Sequence, residues 1–451
     1  MFIHQSKNPQ KLYIVGKDVY AKWLKKQSKD CQQQAALIIN EACEGSFAQW
    51  FEDNKLNGVL VFEKSIFACF GHLAKKLQTG DWEIIGKDFD LEQALVAYMM
   101  GYYKFDKYKS KSKPISEANI LVEDKTLLQR LEVKQKGIFL ARNLINEPVN
   151  ILGPIELAKK AEDLAKEYAA KVKIYQGESL QKEFPAVYAV GKSSPDTSRV
   201  LDIRWHKKNA PKITLIGKGV CFDTGGVNVK PSGSMRHMKK DMGGAANVLG
   251  LATMIMGLDL NIDLRVILPM VENNISAKAF RPGDIYKGRG GKTIEIGHTD
   301  AEGRMILSDC LSLASEENND YIIDMATLTG AARVALGAEV GAIMGNDDKA
   351  IKQIVKQSFA CEDYLWQLPL FEGYRRHLSS NVADLNNVSE TAAGMAGAIT
   401  AGLFLSEFVG EGQKWMHFDI FGWNPTGQRA GHPAGGEAMG IRAILSWLEN
   451  L

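Results

Sequence analysis

The chain has 451 residues, of which 45% are hydrophobic and 24% are charged, and its formal net charge is +2. This length exceeds the usual size of a single hydrophobic core, so it predicts two domains, one of them large. The balanced charge argues against a nucleic-acid partner, which would require a basic surface. No stretch has the roughly 18 consecutive apolar residues of a membrane span, and the N-terminus lacks an apolar core of signal-peptide length. We therefore expect a cytoplasmic protein without a membrane partner.

The cysteines are scattered and form no C-x-x-C pair, which argues against a disulfide framework and against a zinc ribbon. They are Cys31, Cys43, Cys69, Cys221, Cys310 and Cys361. We expect most of them to be small buried side chains.

The first part of the chain mixes short apolar runs with helical patterns. Apolar runs occur at 12–15, 59–62 and 65–70, and a helical pattern covers 91–103. This mixture predicts a small α/β domain over residues 1–115. The segment 107–117 is rich in lysine and serine and contains Pro114, which is typical of a linker.

A long amphipathic helix is predicted next. Its apolar residues are spaced by four, seven, three and four positions: Leu127, Leu131, Ile138, Ala141 and Ile145. Pro148 is expected to end it. The linker and this bridging helix together occupy residues 116–146.

The remainder, residues 147–451, is predicted to be the large catalytic domain. Strand-like runs at 213–220, 265–270, 293–297 and 321–325 alternate with helical patterns at 242–256, 305–314 and 399–408. This alternation indicates a mixed or parallel central sheet flanked by helices on both faces. Ligands bind at the carboxyl ends of the strands in such sheets.

Charged residues and glycines crowd the first of these strand ends. The stretch IGKGVCFDTGGVNVKPSGSMRHMKKDMGGAAN carries Lys218, Asp223, Lys230 and Asp241. Glycine allows turns and close backbone approach, which a compact ion site requires. The alternative is an ordinary glycine-rich turn with surface charges, and this stretch alone does not exclude it.

A second stretch, GHTDAEGRMILSD, places Asp300, Glu302 and Arg304 at alternate positions. In an extended backbone these side chains project from one face, so two carboxylates and a guanidinium would converge. A helix is predicted to begin after them, at Met305.

The two stretches together indicate a site for two metal ions. Four negative charges, on Asp223, Asp241, Asp300 and Glu302, are formally cancelled by two divalent cations. Without cations, buried carboxylates in this number would repel one another and protonate. Oxygen ligands suit Zn²⁺, Mn²⁺, Mg²⁺ or Co²⁺, and the sequence does not choose among them.

These motifs resemble the leucyl (cytosol) aminopeptidase family of dinuclear metallopeptidases. The likeness rests on KGVCFDTGG at 218–226, the Lys-Pro pair at 230–231, KKDM at 239–242 and, above all, TDAEGR at 299–304. It continues through RPGDI at 281–285, ATLTGA at 326–331, NVAD at 381–384 and AGAITAGLFL at 396–405. The likeness covers roughly residues 130–451 and is weaker in the N-terminal domain.

The resemblance implies a metal-dependent aminopeptidase that removes N-terminal residues, leucine-like ones preferred, from peptides with a free N-terminus. Asp223 and Glu302 would be shared between two divalent metals, Lys218 and Asp241 would complete one metal site, and Asp300 would complete the other. Lys218 would bind through a neutral amine. The same resemblance implies a homohexamer.

The resemblance also implies roles outside the ligand set. A two-metal-activated water would attack the peptide carbonyl, Lys230 would act as the electrophile at the oxyanion, and Arg304 would hold a bicarbonate that serves as general base. The substrate-lining residues would be Met238, Thr327, Leu328 and Gly330.

Two residues depart from the family pattern. Gly297-His298 stands where an apolar residue and Asn usually precede TDAEGR, and His298 is interpreted as a packing residue or as one that tunes hydrogen bonds near the metals. Cys221 replaces a commoner Thr and is interpreted either as a buried side chain or as a source of thiol sensitivity.

Other motifs give weaker signals. No H-E-x-x-H helix is present, so a single-zinc site of that type is disfavoured, and His417 with Asp419 is interpreted as structural. GRGGKT at 288–293 lacks the first glycine of a phosphate loop, and Phe222 stands where a dinucleotide fingerprint requires glycine. Two alternative functions stay open: another dinuclear hydrolase such as a phosphoesterase, and an additional DNA-binding role.

Overall fold

A computed structural model of the chain describes residues 1–35, 46–52, 55–62, 65–87, 89–112, 117–388, 394–427, 429 and 431–451. The chain forms two compact units, Met1–Gln135 with Asn424–Ala434, and Lys136–Trp423 with Gly435–Leu451. Each unit combines helices with a mixed sheet, which confirms the predicted α/β class. Residues 113–116 of the predicted linker and Cys43 lie outside the described residues.

The first unit contains a six-stranded sheet in the order β1-β6-β5-β2-β4-β3. Its elements are β1 (Phe2–Ile3), β2 (Gln10–Gly16), α1 (Lys17–Leu24), α2 (Lys29–Ala35), β3 (Ser46–Glu52), β4 (Lys55–Phe62), α3 (Ile66–Leu73), β5 (Gly80–Ile85), α4 (Leu91–Gly101) and β6 (Ala118–Leu121). The apolar runs 12–15 and 59–62 lie in the adjacent parallel strands β2 and β4. The run 65–70 is instead helical, because the Ser65 hydroxyl accepts the Ala68 N–H (3.0 Å) and caps α3.

The predicted bridging helix is present as α5 (Lys125–Asn146), which runs from the first unit into the second. Four of the five residues of its predicted apolar stripe, Leu131, Ile138, Ala141 and Ile145, are fully inaccessible to solvent, and Leu127 is partly buried. The helix ends two residues before Pro148, as expected.

The second unit is built on a nine-stranded sheet in the order β16-β15-β18-β14-β9-β11-β8-β7, with β10 also paired to β11. Its elements up to the first site stretch are α6 (Pro154–Glu167), β7 (Lys171–Gln176), α7 (Glu178–Glu183), α8 (Pro185–Gly191), β8 (Arg199–Trp205), β9 (Lys212–Gly217), β10 (Gly219–Asp223), α9 (Ser232–Met235) and a 3₁₀ segment (Met238–Met242). The next elements are α10 (Gly243–Gly257), β11 (Asp263–Asn273), β12 (Ile285–Lys287), β13 (Thr293–Glu295), α11 (Glu302–Ser315), β14 (Tyr321–Ala326) and α12 (Gly330–Leu336). The last are β15 (Gly341–Gly345), α13 (Asp348–Ala360), β16 (Leu365–Gln367), a 3₁₀ segment (Glu372–Leu378), β17 (Leu385–Asn386), α14 (Gly397–Ser406), β18 (Trp415–Asp419), β19 (Trp423–Asn424), β20 (Gly435–Gly436) and α15 (Ile441–Leu448).

The centre of this sheet fixes the position of the predicted site. β9 pairs in parallel with both β11 and β14, and β14 pairs in parallel with β18, so the carboxyl ends of these four strands lie at one edge. One continuous core cluster includes Val187 of α8, Ile216 of β9, Ile267 of β11, Leu307 of α11 and Phe404 of α14. This core holds α8, α11 and α14 against the strands.

Two further expectations concern side-chain burial and membrane spans. Cys31, Cys69, Cys221, Cys310 and Cys361 are all buried, as expected. Within the described ranges, no helix is both long enough and apolar enough to pass through a bilayer.

Candidate metal centre and active site

The carboxyl edge of the sheet brings the two predicted stretches together. Lys218 lies at the break between β9 and β10, Asp223 ends β10, and Asp241 lies in the 3₁₀ segment that follows. Asp300 and Glu302 come from the loop before α11 and its first residue. All five predicted metal ligands, together with Lys230, therefore belong to one cluster of contacts, which has two halves.

We call Lys218, Asp241 and Glu302 the inner half. The Lys218 ammonium lies 2.8 Å from Asp241 Oδ2 and 2.8 Å from Glu302 Oε1, and these side chains are at most 4% exposed. Lys218 also donates to the Thr327 carbonyl oxygen (3.0 Å). Its three donors are therefore matched by three acceptors.

We call Asp223, Lys230 and Asp300 the outer half. The Lys230 ammonium lies 2.7 Å from Asp223 Oδ2 and also pairs with Asp300 Oδ1. Here the side chains of Lys230 and Asp300 are 13% and 29% exposed, so this half is open to solvent. Lys230 has two acceptors within the described part of the chain, which leaves one donor for another group.

The position of Gly303 in TDAEGR requires glycine for a steric reason. A Cβ on Gly303 would lie 2.7 Å from Lys218 Cε and 2.8 Å from its Nζ. Any other residue would push Lys218 away from Glu302, so only glycine is compatible with the inner half.

The donor set fits a metal site. Asp223, Asp300 and Glu302 each offer one carboxylate oxygen, and these three oxygens lie within 4.8 Å of one another. Glu302 Oε2 is buried and has no hydrogen-bond partner in the described chain. A buried carboxylate oxygen without a donor is costly, and oxygens are the ligands that divalent cations take. This unpartnered oxygen is the clearest structural sign that the cluster accommodates cations.

The electrostatics of the cluster agree with that interpretation. Burial, together with the charge of Asp241, raises the pKa of Asp223 to about 6. Burial and the charge of Asp223 raise the pKa of Glu302 to about 8, and burial and Glu302 raise the pKa of Asp300. Bound cations would relieve this crowding of negative charge, because a nearby positive charge favours the ionised carboxylate.

Both lysines keep their charge in this surrounding. Burial acts to lower the pKa of Lys218, but the charges of Asp241 and Glu302 outweigh it and the pKa is raised. The pKa of Lys230 is also raised, because the charges of Asp223 and Glu302 outweigh its burial.

Arg304 does not converge with the carboxylates as the alternate spacing predicted. Helix α11 begins at Glu302 and not after Met305, so Glu302 and Arg304, two positions apart, point in different directions. Arg304 is 8% exposed, its Nη1 donates to the Asn387 carbonyl oxygen (2.5 Å), and its guanidinium lies 5.9 Å from the Phe404 ring centroid. Its buried Nε has no partner among the described residues, which leaves a donor for an anion.

Of the predicted substrate-lining residues, Thr327 contacts the inner half directly. The Thr327 hydroxyl donates to Asp241 Oδ1 (2.8 Å), and Leu328 follows it directly. Gly330 begins α12, and the partly buried Met238 begins the 3₁₀ segment that carries Asp241.

Several residues that hold these groups in place were not predicted from the sequence. Asn273, at the end of β11, donates through Nδ2 to Asp223 Oδ1 (2.9 Å) and to the Thr299 carbonyl oxygen (3.0 Å). Asn387 accepts the N–H groups of Gly297 (2.9 Å) and His298 (3.2 Å). A polar residue three positions after the predicted strand 265–270 was the available signal for Asn273, whereas no local pattern indicates Asn387.

Asp419 likewise holds in place the backbone at 328–329, next to the predicted substrate-lining residues. Its Oδ1 accepts the N–H groups of Leu328 (3.0 Å) and Thr329 (3.1 Å), and its Oδ2 accepts the Thr329 hydroxyl (2.6 Å). His417 lies apart from the metal cluster in its contacts, with Nδ1 2.6 Å from Asp324 Oδ1. His417 and Asp419 thus both bind other groups of the protein, in agreement with their structural interpretation.

The two departures from the family pattern have defined surroundings. His298 is exposed and not packed in the core, and its Nδ1 accepts the Asp300 N–H (3.1 Å). Cys221 is buried, and burial raises the pKa of its thiol well above the usual value. A thiol in this state is unreactive, which removes the basis for thiol sensitivity at Cys221.

Comparison with known proteins agrees with this geometry. The model of the cytosol aminopeptidase family, catalytic domain, matches residues 139–445, and that of the M17 aminopeptidase N-terminal domain matches residues 11–121. A probable cytosol aminopeptidase of Persephonella marina is 41% identical over 378 residues, which cover 81% of this chain and 75% of that protein. A second one, of Aquifex aeolicus, is 40% identical and covers 78% of this chain and 72% of that protein.

Solved structures show the same relationship over nearly the whole chain. The crystal structure of a cytosol aminopeptidase from Coxiella burnetii matches with a TM-score of 0.93 and 41% identity, covering 99% of this chain and 98% of the other. The bottromycin maturation enzyme BotP in complex with Mn matches with a TM-score of 0.88 and 27% identity, covering 98% and 99% of the two chains. The chain therefore belongs to the M17 cytosol aminopeptidase family, and the predicted enzyme class, a metal-dependent aminopeptidase, is confirmed.

Proposed function

We propose that the chain releases N-terminal amino acids, including leucine-like ones, from peptides through a site that holds two divalent cations. The observation that carries this proposal is the buried Glu302 Oε2, which has no donor in the described chain; Glu302 also shares one group of possible ligands with the carboxylates of Asp223 and Asp300. Zn²⁺ and Mn²⁺ are the ions we expect, and the relative BotP is described in complex with Mn. When bound, such cations polarise a peptide carbonyl and lower the pKa of water.

The contacts support an assignment of ligands to the two cations. Lys218 and Asp241 would complete the inner position, and Asp300 would complete the outer one, while Asp223 and Glu302 would serve both. Ligation by Lys218 requires a neutral amine, so its proton would leave as the cation enters. The close packing of Lys218 against Gly303 holds Nζ in place for that exchange.

Exopeptidase specificity would follow from the acidic cluster. A free α-amino group is a donor and a ligand, so it suits a site rich in carboxylates. In an acetylated N-terminus the nitrogen lone pair is delocalised into the acetyl carbonyl, and the nitrogen cannot carry a positive charge. The outer half is the open side, so the amino group of a peptide would enter beside Asp300.

Lys230 would stabilise the negative charge that develops on the carbonyl oxygen. Its two carboxylate contacts keep it protonated and fix its position, and they leave one N–H for that oxygen. A preorganised cation at this point stabilises the transition state more than the ground state, because the oxygen gains charge during the reaction.

Arg304 would hold the bicarbonate that acts as general base. Burial lowers the pKa of Arg304 to about 10, so the guanidinium still carries its charge at neutral pH. The contact with the Asn387 carbonyl oxygen orients the guanidinium and leaves the buried Nε for an oxyanion. A planar guanidinium matches the planar bicarbonate.

The substrate side chain would lie against Met238, Thr327, Leu328 and Gly330. Asp419 supports this pocket by fixing the backbone of Leu328 and Thr329. Because Thr327 contacts both Asp241 and Lys218, this pocket adjoins the inner half.

The test compares leucine p-nitroanilide with its N-acetylated form, with Mn²⁺ or Zn²⁺ and with EDTA. We expect hydrolysis of the free form only, its loss in EDTA, and its recovery when the metal returns. Turnover of the acetylated substrate would contradict the exopeptidase mechanism, and full activity after removal of the metals would contradict the metal site. The homohexamer and the cytoplasmic location stay predictions, and light scattering after size-exclusion chromatography measures the first.

A further inference from the structure

A buried lysine beside the metal cluster has no hydrogen-bond or ion-pair partner for its ammonium among the described residues. Lys240 lies in the 3₁₀ segment between Met238 and Asp241 and is 6% exposed. In the described chain its ammonium forms no hydrogen bond and no ion pair, and its side-chain contact is with the Phe421 ring, whose centroid lies 4.8 Å from Nζ. Buried charges in proteins are normally paired, because an unpaired one has lost its hydration without compensation. Lys240 therefore lacks an anion.

A second cation lies against the same ring. The Arg333 guanidinium carbon is 5.1 Å from the Phe421 ring centroid, and Arg333 is exposed. The Arg333 guanidinium likewise has no hydrogen bond or ion pair with any residue that the structure describes. Cation–π contacts hold both groups in place, but they do not neutralise charge. Two unneutralised cations thus share one aromatic platform.

This platform adjoins the predicted substrate pocket. Lys240 is two residues from Met238 on the same 3₁₀ segment, and Arg333 follows Gly330 by one turn of α12. Phe421 contacts both cations, so it lies between the two elements that carry these substrate-lining residues. The two cations therefore lie on the elements that carry Met238 and Gly330, and Phe421 contacts both cations.

We propose that Lys240, assisted by Arg333, binds the carboxylate of an acidic N-terminal residue. The substrates would then include peptides that begin with glutamate or aspartate, alongside those with leucine-like residues. The methylene groups of glutamate would pack against Met238 and Phe421, and its carboxylate would supply the anion that Lys240 lacks. This inference rests on the proposed aminopeptidase function and specifies the substrate class of the same pocket.

The experiment compares two substrates of nearly equal shape, α-glutamyl- and glutaminyl-p-nitroanilide, with the full-length enzyme loaded with Mn²⁺. Neither has a C-terminal carboxylate, so the comparison reports on the side chain. Wild type should favour the glutamyl substrate by about tenfold or more in kcat/KM, as expected for a hydrogen bond between charged groups. Leucine p-nitroanilide measures the basic aminopeptidase activity.

The variants test whether Lys240 causes the preference for the glutamyl substrate and how much Arg333 contributes. Lys240→Met keeps a long side chain without charge and should lower the glutamyl-to-glutaminyl ratio by about tenfold or more. Lys240→Arg should keep most of the preference, and Arg333→Gln should lower it by about threefold because Arg333 is exposed. Lys352→Met, on the exposed face of α13, is the matched control and should leave the ratio unchanged. The ratio is measured within one variant, so loss of folded or metal-loaded protein cancels.

Each outcome separates the inference from the proposed function. Hydrolysis of the leucyl and glutaminyl substrates without a preference for the glutamyl one would overturn the inference alone. An unchanged ratio in Lys240→Met would also overturn it. If the metal-loaded wild type hydrolysed none of the three substrates, the proposed function would fail and the inference with it.

Discussion

The two halves of the candidate site use the same arrangement, a lysine between two carboxylates, in different surroundings. In the inner half, Lys218 is enclosed and all three of its donors meet protein acceptors. In the outer half, Lys230 is partly exposed and two acceptors occupy its donors. The same pair of residue types therefore has different roles in the two halves. Lys218 can bind only protein acceptors or a metal, whereas Lys230 has one N–H left for the substrate.

The largest effect is expected where the two halves meet, at Glu302. Glu302→Gln keeps the shape but removes the charge that both cations would share. We expect kcat/KM for leucine p-nitroanilide to fall by about 1,000-fold or more, equivalent to about 4 kcal/mol. Glu339→Gln, at an exposed position, is the control and should retain wild-type activity. Activity above about a tenth of wild type in Glu302→Gln would mean that the halves do not share this carboxylate.

The next effect distinguishes the outer lysine from a metal ligand. Lys230→Met should lower kcat by about 100-fold or more with little change in KM, because its free donor acts on charge that appears in the transition state. The metal content, measured by plasma emission spectroscopy, should stay at the wild-type value. Loss of an ion together with activity would show that Lys230 serves the metals and not the oxyanion.

The inner lysine should instead affect stability when the metals are removed. With EDTA present, Lys218→Met leaves the carboxylates of Asp241 and Glu302 buried without the lysine ammonium that pairs with them. The free energy of unfolding should therefore fall by about 3 kcal/mol. Denaturant titration measures this change. Lys212→Met, at the exposed start of the same strand β9, should change it by less than about 0.5 kcal/mol. An equally small change in Lys218→Met would contradict the assignment of Lys218 as a buried ionic contact.

The sequence predicted the content of both halves because their residues lie in two short stretches that flank strand ends. Glycine and charge patterns mark such places, and the alternation of strands and helices places the ends of β9, β11 and β14 at one edge. The central fold could be predicted for the same reason, since the apolar runs are long and their periods are clear.

What the sequence did not indicate depends on contacts between distant segments. Asn387 reaches the loop before α11 from about 90 positions away, and Asp419 fixes the backbone of Leu328 across two paired strands. The absence of an ion pair at Lys240 among the described residues is also a tertiary property, because only the fold shows which carboxylates lie within contact distance of its ammonium. The direction of Arg304 was missed for a local reason: an acidic residue is favourable in the first turn of a helix, so α11 begins at Glu302.

The smallest effect is expected from His298, which supports only the outer half. His298→Ala removes the acceptor of the Asp300 N–H, so Asp300 should be less well oriented. Because the outer half is open to solvent, we expect it to hold its Mn²⁺ ion more weakly than the inner half does. The affinity for this outer ion should fall by about tenfold, at the low end for residues that orient a ligand, because His298 is exposed. Titration of metal-depleted protein with Mn²⁺, followed by activity, measures this, and His206→Ala at an exposed position is the control. A weaker affinity for the tightly held ion instead would reverse the assignment of the halves, because within the described residues no contact joins His298 to Lys218, Asp241 or Glu302.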